Sequence, residues 1–121
     1  MGEIKKELTL IPKAETYIQY MIELIMKLPR TEKFNIGNEY KLSMYNMLEE
    51  ILLLSKIPEE EKLSYINKID ARLNSQRILL RIMSKNKWID ERRFNYVIEL
   101  IYEMGKIIGG LVKYYAKNNK K

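Results

Sequence analysis

The chain has 121 residues, 22 Lys/Arg against 16 Asp/Glu for a net charge of +6, no cysteine and no histidine. Without cysteine there are no disulfides and no thiolate metal sites. Without histidine the commonest general base and transition-metal ligand is missing, so neither catalysis nor a metal or cofactor is expected. One domain is expected over residues 1–121, large enough for a core yet small enough to gain from self-association. The segment Met1–Leu10 lacks the continuous apolar region of a signal peptide, and the longest apolar run, Ile51 to Leu54, is far too short to cross a membrane. A cytoplasmic location is the expectation.

Pro12 suits a first helical turn, and Tyr17, Met21, Leu24 and Leu28 follow at helical spacing until Pro29, predicting a first helix over about 12–28. Thr31 can cap a second helix over about 32–56, in which Tyr40, Met44, Met47, Ile51 and Leu54 form the stripe before Ile57-Pro58 breaks it. Pro58 with Glu59, Glu60 and Glu61 starts a third over about 58–85, carrying Ile66, Ile69, Leu73, Leu80 and Met83. Asp90 caps a fourth over about 90–116, where Phe94, Val97, Ile101, Met104, Ile108, Val112 and Tyr115 align, and a flexible basic tail occupies 117–121. Long helices joined by short connections, with no strand signal, predict an all-α, up-down-up-down antiparallel four-helix bundle. The seven methionines and nine tyrosines sit mostly at helical spacing and are expected mainly in the core.

Three surface features remain. Ile78 and Ile82 point away from the core stripe of their helix, and Tyr96, Leu100, Ile107, Leu111 and Tyr114 widen the apolar face of the last helix beyond what one bundle uses. These seven residues are expected at a subunit interface. Residues 1–60 hold eight Lys/Arg and ten Asp/Glu, a balance of −2, whereas residues 61–121 hold fourteen and six, a balance of +8. A field of that sign favours polyanions. Arg77, Arg81 and Lys85 recur every fourth residue, and with Arg72, Lys87, Arg92 and Arg93 they are the candidate nucleic-acid-binding set, Lys68 lying nearby. Binding through such a set would be salt-sensitive and largely independent of sequence, to RNA or DNA alike. Alternatively, these cations pair with carboxylates such as Asp70, Glu99 and Glu103. Finally, Gly105, Gly109 and Gly110 interrupt an apolar helix, which predicts close backbone approach or a bend, and Arg30 after Pro29 is expected to brace a helix corner.

Leu28-Pro29-Arg30 followed by Phe34, Ile36 and Gly37, then Leu73, Arg77 and Leu79-Leu80-Arg81, then Glu103 to Gly110, resembles a bacterial four-helix-bundle family. That family comprises the accessory variability determinant (Avd) proteins of diversity-generating retroelements and the proteins encoded by intervening sequences of 23S ribosomal RNA genes. The resemblance spans residues 15–115 and marks Arg30, Arg77, Arg81, Gly105, Gly109 and Gly110; Leu111 stands where the family commonly has tryptophan. It implies a homopentameric barrel of basic four-helix subunits. The retroelement branch would further imply a reverse transcriptase and its nucleic acid as partners. The functional expectation is a non-enzymatic, oligomeric nucleic-acid-binding accessory protein with no membrane partner. The alternatives are a protein of the ribosomal intervening-sequence type and a pure interaction scaffold.

Overall fold

The computed structural model describes residues 2–118, so Met1 and the end of the expected tail lie outside the described residues. Four long helices and one short one account for most of the described chain: α1 (Gly2–Ile25), α2 (Arg30–Lys33), α3 (Ile36–Leu53), α4 (Glu59–Lys85) and α5 (Glu91–Asn118). A 3-10 turn, Leu54–Lys56, follows α3, and there is no strand among the described residues. Each long helix packs on two others, in the cyclic order α1, α3, α4, α5. The pairs Tyr20 with Tyr96 and Lys13 with Glu103 show α1 antiparallel to α5, and Ser43 with Gln76 and Glu50 with Arg72 show α3 antiparallel to α4. The core contains the stripes read from the sequence, including Tyr17, Met21, Tyr40, Met44, Met47, Ile69, Leu80, Val97 and Met104, each 0 % exposed.

Two of the helix expectations need correction. The first helix begins about ten residues early and runs through Pro12, which lies inside α1 rather than at its start. Pro12 is exposed, so the lost hydrogen bond and the ring's crowding of the preceding turn fall on the solvent side. The extension is held because Glu7 and Leu10 are buried. Lys62 Nζ donates to both Glu7 carboxylate oxygens at 3.1 Å, and the Tyr115 hydroxyl donates to Glu7 Oε2, joining α1, α4 and α5. Burial, then the hydrogen bond to Glu7 and its charge, raises the Tyr115 pKa.

The second helix is split. Pro29 rather than Thr31 caps α2, its carbonyl accepting from the Glu32 and Lys33 amides at 2.8 and 3.0 Å, and the chain breaks before α3 starts at Ile36. Gly37 is why the break is tight. A Cβ there would lie 2.9 Å from Ile25 Cγ2 and 3.2 Å from the Glu32 carbonyl oxygen, so only glycine lets the corner close on the end of α1. Arg30, expected to brace this corner, is exposed at the first position of α2.

The remaining boundaries follow their signals. Pro58 precedes α4, with Glu59, Glu60 and Glu61 in the first turn beside the positive end of the helix dipole. At the other end Lys87 is left-handed (φ 61°), and the Lys87 and Trp88 amides donate back to the Ser84 and Met83 carbonyls at 3.0 Å. That is a Schellman ending with lysine at the position glycine usually takes. Asp90 caps α5 as expected, Oδ1 accepting from the Arg93 amide at 2.8 Å.

A hydrogen-bonded chain crosses the middle of the core. The Tyr17 hydroxyl spends its one proton on Gln76 Oε1 at 2.7 Å, so the Tyr40 hydroxyl donates to Tyr17 at 2.5 Å. Gln76 Nε2 donates to Ser43 Oγ at 3.0 Å. Burial drives both tyrosine pKa values upward. The tyrosines are accordingly less uniformly buried than their spacing suggests: Tyr17, Tyr40 and Tyr115 are core, whereas Tyr45, Tyr96 and Tyr102 are exposed.

Candidate nucleic-acid interface

α4 carries its cations on two flanks with different fates. Toward α3, Arg72 Nε donates to Glu50 Oε1 at 2.6 Å, and this hydrogen bond holds the Arg72 pKa above its ordinary value. The charge is spent inside the chain. Toward α5 stand Arg77, Arg81 and Lys85, one turn apart, Arg77 half-buried and the other two exposed. Arg77 Nη1 donates to Asn74 Oδ1 at 2.5 Å, and its Nη2 lies 3.7 Å from where a Cβ on Gly105 would sit. Gly105 is thus where the guanidinium rests against α5, at an ordinary contact distance. None of the four ion pairs among the described residues involves Arg77, Arg81 or Lys85.

α5 adds to this face what the sequence reading missed. At about 100° per residue, Tyr102, Lys106, Gly109 and Lys113 fall in one stripe along the helix. All four are exposed, and Lys106 Nζ lies 5.5 Å from the Tyr102 ring centroid. The i, i+4, i+7, i+11 spacing was the available signal. The stripe lies on the side of α5 away from the core, between the flank that meets α1 at Tyr96 and Glu103 and the flank that meets α4 at Gly105. The carboxylate of Glu103 is held on the opposite flank by Lys13, at 3.2 Å. The outer sides of α4 and α5 thus carry Arg77, Arg81 and Lys85 on the one helix and Lys106 and Lys113 on the other, with the exposed Glu99 also on α5.

The rest of the candidate set goes elsewhere. Arg93 Nη1 pairs with Asp90 Oδ2 at 2.5 Å, and the Arg93 amide's hydrogen bond to Asp90 holds that carboxyl below its usual range. Arg92 and Arg93 line a shallow groove on the α1 side with Tyr20, Asp90 and Tyr96. Lys87 sits exposed in the left-handed turn.

The expected subunit-interface residues also divide. Ile78 and Ile82 are 50 % and 39 % exposed on the outer side of α4. Leu111 is 0 % exposed in the chain's own core, and Leu100, Ile107 and Tyr114 pack against that core. Tyr96, though exposed, meets the Tyr20 ring edge-on at 4.6 Å between centroids. The reason is the longer α1. Its early turns reach the second half of α5, where Glu7 meets Tyr115 and Leu10 is buried in the same core as Leu111. Gly109 and Gly110 do not mark close packing within the chain, since a Cβ on either would meet nothing within 4 Å.

The helices and their packing define an all-α antiparallel four-helix bundle. No described helix is long and apolar enough to cross a membrane, and no group of three His, Cys, Asp or Glu is placed to hold a metal ion among the described residues. The sequence matches the bAvd-like family (bAvd) over residues 8–115, and the chain belongs to that family. No match was found among curated proteins or among solved structures.

Proposed function

We propose that the protein is a non-enzymatic, oligomeric nucleic-acid-binding accessory protein, and that the α4/α5 face is where the polyanion lies. The observation that carries this reading is that Arg77, Arg81 and Lys85 of α4 and Lys106 and Lys113 of α5 all lie outside the ion pairs among the described residues. Five cations on one face of two helices repel each other, a cost that phosphates would relieve while releasing counterions. Membership of the bAvd-like family supports the accessory role, with a reverse transcriptase as the proposed protein partner. Self-association is proposed through the outer side of α4 and the adjoining α3 groove, where Ile78, Ile82 and Leu42 are exposed. The family resemblance suggests five subunits.

Fluorescence anisotropy with mixed-sequence RNA and DNA tests the nucleic-acid reading. Log affinity should fall linearly with log salt, by about 0.7 to 0.9 per phosphate neutralised. No binding at low salt, or salt-independent binding, would assign the protein to interaction scaffolds. Light scattering tests the assembly: Ile78→Glu with Ile82→Glu should give smaller particles than wild type, and a wild type already monomeric at tens of micromolar would remove it.

A further inference from the structure

Resting on the nucleic-acid reading above, we propose that the outer stripe of α5 is a stacking site for an unpaired base of single-stranded nucleic acid, with Tyr102 as the stacking ring and Gly109 as bare backbone on the same stripe. Tyr102 is 61 % exposed near the middle of α5. Its described partner is Lys106, one turn on, a contact that steadies the ring and sets an ammonium beside it. Aromatic rings on a basic face are the stacking platforms of proteins that bind single strands, because every base offers a π-face.

The glycines supply the second observation. Glycine is among the poorest residues for a helix interior. At Gly37 the fold demands it, because a Cβ would strike Ile25. At Gly109 and Gly110 the fold demands nothing: both are exposed and an added Cβ would touch no atom within 4 Å. A bare backbone with no use inside the chain is explained by something that approaches from outside. Gly109 lies two turns from Tyr102 on the same stripe, about 10 Å along the helix and between Lys106 and Lys113, so the sugar-phosphate chain leading from a base stacked on the ring can pass over it between two cations. A duplex buries its base faces against one another and leaves Tyr102 idle. A single strand does not.

The test is anisotropy at one fixed salt, with a mixed-sequence single strand and the duplex of the same sequence, each as DNA and as RNA. Wild type should prefer the single strand. Tyr102→Ala should weaken single-strand binding about tenfold in both chemistries and leave duplex binding and the salt slope unchanged, and Tyr102→Phe should retain wild-type affinity. Gly109→Ala should raise the melting temperature and still weaken single-strand binding. Wild-type affinity in Tyr102→Ala, or an equal loss on duplex, overturns the stacking site while leaving the basic face in place. A loss of particle mass in either variant by light scattering makes the stripe a subunit contact and also overturns it. Wild-type failure to bind any of the four probes sinks the nucleic-acid reading itself.

Discussion

The two flanks of α5 belong to one continuous helix yet solve opposite problems. On the flank facing α1, apolar and charged groups alike are used up inside the chain: Leu111 is in the core, Tyr96 meets Tyr20, Glu103 meets Lys13, and Tyr115 closes on Glu7. On the outer flank, Tyr102, Lys106, Gly109 and Lys113 are exposed, and Arg77 of α4 reaches α5 at Gly105. The contrast teaches that charge count is a poor guide to function. What matters is whether a neighbouring helix supplies the counter-charge, as α3 does for Arg72 through Glu50 and α1 does for Glu103 through Lys13.

That contrast can be broken from the inner side first. The largest effect is expected from alkali. Tyr17, Tyr40 and Tyr115 all have pKa values raised in the folded chain, chiefly by burial. The unfolded chain gives up these protons first, so the stability they contribute is complete below the unfolded value of about 10 and is lost as pH climbs toward the folded values. Thermal melts should therefore collapse above about pH 10, and a melting temperature unchanged there would mean the three hydroxyls are not held as described. Next comes the buried ion pair. Lys62→Met should cost about 3 kcal/mol in urea unfolding by leaving Glu7 buried with only the Tyr115 hydroxyl, whereas Glu7→Leu with Lys62→Met should recover most of the loss. Additive losses would show that the two residues do not act as a pair.

Smaller, and opposite in sign, are the effects of two alanine substitutions at glycine. Gly37→Ala should destabilise by about 2 kcal/mol, because the corner overpacks against Ile25. Gly109→Ala should stabilise by about 0.5 to 1 kcal/mol, since nothing opposes the better helix former. Equal effects at both positions would erase the distinction between a glycine the fold requires and one it does not.

Much of this architecture was legible in the sequence because its signals are local. Pro29, Pro58 and Asp90 mark element boundaries by backbone chemistry alone, and the core stripes follow from helical periodicity. The start of α1 was not legible, because Pro12 is itself a good helix-start signal and what overrides it is distant: Glu7 meets Lys62 55 residues away and Tyr115 108 residues away. The misplacement of Leu111 follows from the same omission, since a wheel shows that a face is wide but not that α1 is long enough to cover it. The Arg77 ladder was visible as spacing. Its separation from Arg72 and Arg93 was not, because it depends on which carboxylates α3 and the α5 cap present. Tyr102, Lys106 and Lys113 were passed over because the glycines between them were read as packing.

The most direct test of the account asks whether the location of charge, not its amount, governs binding. Two triple variants of equal net charge suffice: Arg77→Gln, Arg81→Gln, Lys85→Gln on the α4/α5 face, and Lys27→Gln, Lys41→Gln, Lys56→Gln elsewhere on the bundle. Anisotropy of a mixed-sequence single strand across a salt series should show the first variant weakened at low salt, with its log–log slope reduced by about 2, and the second close to wild type. Equal losses in the two variants would contradict the account, because they would make binding a property of net charge and leave the α4/α5 face with no role of its own.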